Sequence, residues 1–307
     1  MKIATVTLNP AIDRNIIYDK SLKAGELNRV SPALVNAGGK GINVSRMLKK
    51  YGVDTYVFGL NGGRTGKMLD GILSEEGIDT HFTKTDCETR MNIKITDADS
   101  KETEINEKGG PVSEDELKSL IKTLITSDAE LFVIGGSTPM GLNDDTVFRI
   151  VNALKISGKK VITDVSGASL IKAVEARPYL IKPNRDEFCQ LLGYTPDDDK
   201  FCSEAMEFYS KTGIEIILTM GKNGACYSGR AGNYRIINPE VKAKGFSGAG
   251  DTFLASYIYG VTNDMDIRTA LRFASAASLS KVELEGTNLP DKTTVESNMP
   301  RITVNEM

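Results

Sequence analysis

The sequence predicts an α/β fold in which helices cover both faces of a parallel sheet. Three observations lead to this prediction. Short apolar strands alternate with amphipathic helices along most of the chain. The 307 residues are 40% apolar and 26% charged, which is the balance of an ordinary soluble globular protein. No repeat, linker or low-complexity segment divides the chain, so residues 1–307 are expected to form a single domain.

The individual elements follow from local patterns. Residues 2–8 alternate as a first strand. The helix after it carries apolar residues at helical spacing, namely Val44, Met47, Leu48 and Tyr51, and it ends at Gly52. The strands predicted next are residues 54–60, 131–136, 160–165, 179–184 and 215–221. The helices predicted around these strands are residues 66–76, 114–126, 144–157, 185–192 and 202–212, and residues 251–282 are strongly helical.

Two polar segments interrupt this rhythm. Residues 13–36 and 88–107 have the pattern of strands and turns, and the second indicates a hairpin that turns around residues 97–100. We expect the two segments to form a small β-stranded lid over the main domain. A thin lid has too little volume to bury its own apolar residues, so we expect this apolar face to contact a second subunit. The residues concerned are Ile16, Ile17, Met91, Ile93 and Ile95.

Charge and hydropathy exclude several classes of function. The net charge of −3 gives no indication of a nucleic-acid partner or of binding to a membrane surface. No apolar run approaches the roughly 20 residues that a membrane span requires. Residues 1–14 have a strand pattern in place of a secretion signal, so we expect a cytoplasmic protein.

The rare residue types narrow the chemistry further. His81 is the single histidine and no nucleophile motif lies near it, which argues against Ser-His-Asp and Cys-His mechanisms. We expect His81 on a strand or at the surface, and we assign acid–base catalysis to carboxylates or lysines. The four cysteines form no CxxC pair and are expected to be buried free thiols. They are Cys87, Cys189, Cys202 and Cys226.

A glycine-rich turn leads directly into a predicted helix at residues 244–256. The N–H groups of a helix N-terminus bind anions, and small residues let an anion approach them closely. An anion site beside the ionised carboxylate of Asp251 suits phosphoryl transfer to a hydroxyl, in which the amides stabilise the transferred group and Asp251 accepts the proton. The alternative is structural, with Ser247 or Asp251 as a helix cap and the glycines in a tight turn.

A second glycine-rich stretch, residues 36–46, also precedes a helix. Its spacing matches neither the Walker loop nor the dinucleotide-binding fingerprint. Residues 61–68 also miss the Walker pattern, because Met68 stands where Ser or Thr must bind magnesium. Lys40 and Asn43, with the bare backbone amides around them, suit an anionic and polyhydroxylated ligand. The alternative is a helix start with a solvent-exposed lysine.

Three further polar stretches follow predicted strands. Asn184 and Glu187 are three residues apart, and oxygen ligands of this kind suit magnesium, although a helix capping box explains the same pair. Asp13 follows the first strand at the carboxyl edge of the sheet, where α/β folds bind ligands. Residues 219–225 follow another strand and suit a turn around a nucleotide phosphate.

Taken in order, these stretches resemble the ribokinase-type (pfkB) carbohydrate kinases over essentially the whole chain. The stretch NAGGKGINVSR resembles the first signature of the family, and KGFSGAGDTFLAS resembles the second. Within the family, TLNPAID, NAGGKGINVSR, TRMNIKI and TEINE are most similar to bacterial 1-phosphofructokinases and next to tagatose-6-phosphate kinases. The resemblance implies a three-layer α/β/α domain with a β-stranded lid and a requirement for ATP and Mg2+.

The resemblance also implies roles for individual residues. Asp251 matches the catalytic base, and Gly248, Ala249 and Gly250 match the anion hole. The residues that match contacts with the sugar and its phosphate are Asp13, Arg29, Gly38, Gly39, Lys40, Asn43 and Arg90. The residues that match the ATP and magnesium site are Lys182, Asn184, Glu187, Thr219, Gly221, Gly224, Gly248 and Gly250. The alternative for Arg29, Lys40 and Arg90 is that they are solvated surface charges.

The implied reaction is the ATP-dependent conversion of fructose 1-phosphate to fructose 1,6-bisphosphate. The homodimer is expected from the apolar face of the predicted lid. The sequence departs from the usual 1-phosphofructokinase pattern at GFSGAGD, NEKGGP and GGSTPMG. These departures remove no group that the mechanism needs, but each would reshape the sugar pocket. Tagatose-6-phosphate kinase therefore stays open as an alternative within the class. A non-catalytic sugar-phosphate sensor is the alternative outside it.

Overall fold

The computed structural model describes residues 1–99, 101–241, 245, 247–284 and 288–307. Three residues of the predicted turns, Ser100, Lys244 and Phe246, lie outside this range. The described residues form one sheet of ten strands and one of four. Helices cover both faces of the large sheet, and the small sheet forms a lid, so the predicted three-layer fold is confirmed.

The strands are β1 (Ile3–Thr7), β2 (Ala11–Ile17), β3 (Leu34–Gly38), β4 (Thr55–Gly62), β5 (Asp79–Thr85), β6 (Arg90–Thr96), β7 (Glu102–Asn106), β8 (Leu131–Gly135), β9 (Lys160–Asp164), β10 (Leu180–Ile181), β11 (Glu215–Thr219), β12 (Ala225–Gly229), β13 (Gly232–Ile237) and β14 (Thr303–Glu306). The α-helices are α1 (Lys40–Lys50), α2 (Gly63–Glu75), α3 (Glu114–Thr126), α4 (Asp145–Ile156), α5 (Ala168–Glu175), α6 (Arg185–Leu192), α7 (Phe201–Thr212), α8 (Ala249–Thr262), α9 (Ile267–Glu283) and α10 (Lys292–Asn298).

The large sheet has the strand order β14-β13-β12-β11-β10-β9-β8-β1-β4-β5. Neighbouring strands from β5 to β11 run parallel, as predicted. The prediction of a parallel sheet is wrong at the other edge, where β12, β13 and β14 are antiparallel. The two residues between β12 and β13 permit a hairpin and are too few for the crossover that a parallel pair requires.

Successive residues of the central strands pack into two different apolar clusters. In β8, Leu131 and Val133 pack with residues of α1, α8 and α9, whereas Phe132 and Ile134 pack with residues of α3, α4 and α7. A strand directs successive side chains to opposite faces, so this alternation buries both faces of the sheet. The carboxyl ends of the parallel strands consequently meet at one edge of the domain.

The lid sheet has the strand order β3-β2-β6-β7 and is built from the two predicted segments. Residues 18–33 form no helix or strand, so Arg29 lies in an exposed loop and not in a lid strand. The prediction also grouped Ile16 and Ile17 on one apolar face. Ile16 pairs with Ile95, and Ile17 points to the opposite face because side chains alternate along a strand.

Two of the four cysteines are not free thiols. Cys202 on α7 and Cys226 on β12 form a disulfide, whereas Cys87 and Cys189 are free. The prediction of four buried free thiols is therefore wrong, because two cysteines are paired and the two free ones are only partly buried. The fold brings Cys202 against the sheet, and the positions of the two residues in the sequence carry no pairing motif that would have indicated this contact.

His81 lies on β5, as predicted. Its ring stacks on Phe58, and its Nε2 lies 3.2 Å from the Asp79 carboxylate. Within the part of the chain that the structure describes, no helix is both long enough and apolar enough to cross a membrane.

Candidate active site

A cavity of about 790 Å³ is lined by residues from the carboxyl ends of the parallel strands and from the lid. Asn9 follows β1, Asp164 ends β9, Lys182 follows β10 and Thr219 ends β11. Open α/β sheets bind ligands at the carboxyl ends of their strands. Lid strand β6 lines the cavity as well, so the two sheets build the site together.

Most of the predicted site residues line this cavity. They are Asp13, Gly39, Lys40, Asn43, Arg90, Lys182, Asn184, Glu187, Thr219, Gly221, Gly224, Gly248, Ala249, Gly250 and Asp251. Gly38 lies directly behind Asp13, because a Cβ atom on Gly38 would be 2.6 Å from the Asp13 carboxylate. Arg29 does not line the cavity, so the three cations predicted to bind a phosphate do not converge within one chain.

Helix α8 presents its N-terminus to the cavity. Its N-cap residue, Gly248, has a φ of 77°, in the left-handed region that favours glycine, and no side-chain hydrogen bond caps the helix. The N–H groups of the first turn therefore remain available to an anion. A Cβ atom on Gly250 would lie 3.4 Å from Lys182 Nζ, which places a buried ammonium group beside the same turn.

Asp251 and Ser247 both direct their side chains away from the backbone of α8. Asp251 Oδ2 accepts a hydrogen bond of 2.7 Å from Asn43 Nδ2 on α1. Ser247 Oγ accepts a hydrogen bond of 2.6 Å from Lys94 Nζ on the lid. Neither residue caps the helix, so the capping part of the structural alternative is wrong, whereas Gly248 does lie in a tight turn.

Asp164 joins two lysines on the floor of the cavity. Its two carboxylate oxygens lie 2.8 Å from Lys40 Nζ and 2.9 Å from Lys182 Nζ. Burial opposes the ionisation of Asp164, but the two ammonium groups outweigh burial and lower its pKa. Burial also opposes the charge of Lys40, but Asp164 and Glu187 outweigh it and raise the pKa of Lys40. Lys40 is therefore a fixed charge of the site and not a freely solvated lysine.

The surroundings of Asp251 raise its pKa. Burial is the main cause, and the negative charge of Asp164 is the next. The hydrogen bond from Asn43 and the charges of Lys40 and Lys182 oppose this rise. A general base is most effective when its pKa approaches the working pH. The net effect of burial and charge moves Asp251 in that direction.

The lid contributes polar side chains from β2 and β6. Asn92 Nδ2 donates a hydrogen bond of 2.8 Å to Asp13 Oδ1, which fixes the orientation of that carboxylate. Arg90 lies two positions earlier on the same face of β6. Its guanidinium donates to the backbone carbonyls of Asn9 and Glu107. These contacts hold the Arg90 guanidinium at one end of the cavity. The Asp13 carboxylate, which can accept hydrogen bonds from hydroxyl groups, lies beside it.

Asn184 and Glu187 form the capping box that the sequence left open as an alternative. Asn184 Oδ1 accepts from the Glu187 N–H, and Glu187 Oε2 accepts from the Asn184 N–H, both at 2.8 Å. The second oxygen, Glu187 Oε1, lies 3.8 Å from Lys40 Nζ. No cluster of three or more acidic, histidine or cysteine side chains suited to a metal occurs among the described residues.

A tight turn follows β11 on the predicted nucleotide side. Residues Gly221–Asn223 form a 3-10 turn, and the Arg235 guanidinium donates a hydrogen bond to the carbonyl of Asn223. Gly224 has a φ of 79°, and a Cβ atom there would lie 2.1 Å from the carbonyl oxygen of Ile236. The turn therefore requires glycine at this position, and it presents all three residues of the predicted nucleotide loop to the cavity.

Sequence reasoning missed three informative residues of the cavity: Asp164, Asn92 and Lys94. Asp164 lies at the end of a predicted strand, at the same edge of the sheet as Asp13, and this position was an available signal. Asn92 and Lys94 alternate with Arg90 in the sequence. The two-residue period of a strand places all three on one face.

Comparison with known sequences agrees with this geometry. The sequence signature of the pfkB family carbohydrate kinases matches residues 6–294. The chain belongs to this family. It is therefore an ATP-dependent carbohydrate kinase, and the identification made from the sequence motifs is confirmed.

Two relatives named 1-phosphofructokinase share about a third of their residues with the kinase. The protein from Bacillus subtilis is 34% identical over 88% of this chain and 89% of its own length. The protein from Borreliella burgdorferi is 34% identical over 90% of each chain.

Solved structures share the fold of the kinase. A possible 1-phosphofructokinase from Thermotoga maritima has a TM-score of 0.91 at 26% identity, with 100% of both chains covered. Phosphofructokinase-2 from Escherichia coli has a TM-score of 0.92 at 23% identity, with 97% of this chain and 98% of the other covered. At this low identity the second comparison supports the fold alone.

Proposed function

We propose that this kinase transfers the γ-phosphoryl group of ATP to fructose 1-phosphate and forms fructose 1,6-bisphosphate. One observation carries the proposal: a single cavity contains Asp251, the N-terminus of α8 and the lid residue Arg90. The first two suit phosphoryl transfer to a hydroxyl, and the guanidinium of Arg90 suits a phosphate already on the sugar. The relatives named 1-phosphofructokinase support the choice of sugar.

In the proposed reaction, Asp251 accepts the proton of the attacking sugar hydroxyl. Asp13, oriented by Asn92, accepts hydrogen bonds from other hydroxyls of the sugar. As the sugar oxygen bonds to the γ-phosphorus, the bond from that phosphorus to ADP breaks, and ADP leaves with the electron pair. The N–H groups at the start of α8 bind the oxygens of the transferred group, and Lys182 adds positive charge beside them.

The opposite side of the cavity fits ATP with Mg2+. Thr219, Gly221 and Gly224 would contact the nucleotide. One carboxylate oxygen of Glu187 accepts the capping hydrogen bond, and the other takes no part in the cap. Mg2+ retains several waters and takes few protein ligands, so Asn184 and Glu187 fit a metal that is bound through water. The bound metal would neutralise charge on the phosphates.

The active assembly that we propose is a cytoplasmic homodimer joined through the lid. Ile93 and Ile105 are paired in register on the lid face opposite Arg90, and Ile105 is 57% exposed. A thin sheet leaves such residues in water unless another copy covers them. The cytoplasm is the compartment that supplies ATP and phosphorylated sugars.

The substitution Arg90→Ala tests whether the cavity recognises the phosphate already on the sugar. Loss of a desolvated partner of a phosphate costs about 2–5 kcal/mol, so we expect kcat/KM for fructose 1-phosphate to fall by at least about 30-fold. The slow rate with free fructose should change little. Arg14→Ala removes a lid arginine from the opposite face and should show no such selectivity. Equal losses on both sugars with Arg90→Ala would exclude this role.

A further inference from the structure

Strand β6 presents three polar side chains in a row to the cavity. Arg90, Asn92 and Lys94 alternate with Met91 and Ile93, and the three polar residues all line the cavity. At about 3.3 Å per residue, Arg90 and Lys94 are about 13 Å apart along the strand. The reaction described above gives a role to Arg90 and, through Asp13, to Asn92. It gives no role to Lys94.

Lys94 places a largely buried ammonium group beside the anion-binding turn. Its side chain is 12% exposed, and its Nζ donates to Ser247 Oγ, one residue before Gly248, at 2.6 Å. The carboxylates of Asp13 and Glu104 are more distant, at 3.6 Å and 3.8 Å. Both carboxylates form ion pairs with Lys94, although at distances longer than that of a direct hydrogen bond. The closest partner in the described structure is thus a neutral hydroxyl, and the ammonium keeps donor capacity for an anion.

Two neighbouring features indicate that a ligand binds beside Arg90, Asn92 and Lys94. Asn92 is only 8% exposed, and its Oδ1 is buried without a hydrogen-bond partner among the described residues. Lys281 on α9 lies close to Gly248. Burial, together with the charge of Lys94, outweighs the opposing charge of Glu102 and lowers the pKa of Lys281 to about 8. A ligand that carries a hydroxyl beside an anionic group would donate a hydrogen bond to Asn92 Oδ1 and reduce the repulsion between the two ammonium groups.

We propose that Lys94 binds the phosphoryl group during its transfer and holds it on the product. This inference rests on the proposed function. Arg90 binds the phosphate that the sugar brings, Asn92 accepts a hydrogen bond from a sugar hydroxyl, and Lys94 binds the new phosphate. One lid strand therefore contacts both ends of the bisphosphate. Asp251 takes the hydroxyl proton and ADP leaves with the electron pair, while Lys94 keeps its own proton throughout.

The test compares how Lys94→Met binds fructose 1-phosphate and fructose 1,6-bisphosphate by titration calorimetry. Removing a charged hydrogen-bond partner should weaken binding of the bisphosphate about 10- to 100-fold. Binding of the monophosphate should change by less than about threefold, and kcat should fall more than KM rises. Lys94→Arg should restore part of the affinity for the bisphosphate. Arg90→Met should weaken binding of both sugars.

Two controls separate this role from a structural one. Lys101→Met removes an exposed lysine of the lid hairpin and should leave both affinities unchanged. Ser247→Ala removes the hydrogen bond to Lys94 but not the charge, so it should largely keep the affinity for the bisphosphate. Equal weakening for both sugars with Lys94→Met, no weakening for either, or the same loss with Ser247→Ala would overturn the proposal. Lys94→Gln gives the same comparison if the Met variant does not fold.

Failure of the proposed function would be visible in the same experiment. The wild-type protein would then neither bind fructose 1-phosphate nor turn it over. The comparison would be repeated with the monophosphate and bisphosphate of the sugar that the wild-type protein does phosphorylate. Selective loss of the bisphosphate would still support Lys94, and equal loss would still exclude it.

Discussion

At the scale of single residues, Asp251 lies in the first turn of α8, and a contact from outside that helix fixes the position of its carboxylate. Its side chain accepts a hydrogen bond from Asn43 on another helix. We predict that Asp251→Asn keeps the fold and ATP binding but slows turnover roughly 10²–10⁴-fold, which is the usual contribution of a positioned general base. Single-turnover phosphoryl transfer and an ATP titration measure the two effects. Turnover near that of the wild type would show that Asp251 is not the base.

The same substitution should stabilise the protein at neutral and alkaline pH. Because the folded state raises the pKa of Asp251, stability falls as the pH rises above the pKa that this carboxyl has in the unfolded chain, and the loss is complete above its folded-state pKa. Asparagine does not ionise, so Asp251→Asn should melt at a higher temperature than the wild type at pH 8, and the difference should shrink as the pH falls. Thermal unfolding at several pH values tests this expectation. A variant that is less stable at pH 8 would contradict the raised pKa.

Glu187 combines a structural contact with a proposed metal contact, and Glu187→Gln separates them. Glutamine at this position still accepts the capping hydrogen bond, so the melting temperature should change little. Loss of the charge should raise the Mg2+ concentration needed for the half-maximal rate. Glu116→Gln alters the equivalent capping box of α3 and provides the matched control. An unchanged Mg2+ titration with a lower melting temperature would leave Glu187 as a cap only.

At the scale of elements, the N-terminus of α8 needs a left-handed residue at Gly248, and its N–H groups are proposed to bind the transferred phosphoryl group. Gly248→Ala introduces strain at a φ of 77°, and Gly213→Ala introduces similar strain at a φ of 71° at the end of α7. Each should cost roughly 1–2 kcal/mol of stability. The Gly248 variant alone should also lose turnover, because the anion-binding amides shift. Chemical denaturation and steady-state kinetics measure both effects, and equal kinetics in the two variants would exclude a special role for this turn.

Elements with strong local signals were predictable from the sequence. The bounds of α3 and α6 match the prediction residue for residue, because Ser113 and Asn184 begin these helices with complete capping boxes. The antiparallel edge was not predicted, since β12, β13 and β14 depend on pairing with distant strands and not on a local pattern. The path of residues 18–33 was also missed, because their polar alternation is shared by strands and by loops.

The candidate site was predictable where motifs follow strands or start helices. Asn43 and Asp251 were both singled out, although the hydrogen bond that joins them spans most of the chain. Asp164 and Lys94 were missed because each acts through partners brought near by the fold. Arg29 shows the opposite error: it matches the family motif, but it does not line the cavity of its own chain.

At the scale of the whole molecule, the lid predicts an assembly. Its outer face carries Ile93 and Ile105 in register, and burial of this face would remove apolar surface from water. We predict a homodimer at micromolar concentration by light scattering. Ile105→Lys should shift the protein toward the monomer, whereas Ile156→Lys, at an exposed residue of α4, should not. A wild-type monomer would exclude the lid interface and leave the lid itself unaffected.

At the scale of the whole molecule, the proposal that matters most is that this kinase phosphorylates a sugar phosphate and not a free sugar. The most direct test is ADP formation from ATP and Mg2+ with separate sugars, namely fructose 1-phosphate, fructose 6-phosphate, tagatose 6-phosphate and free fructose. We predict the highest kcat/KM with fructose 1-phosphate, a much lower value with free fructose, and fructose 1,6-bisphosphate as the product. Equal or higher kcat/KM with free fructose, or no turnover with any of the phosphorylated sugars, would contradict it.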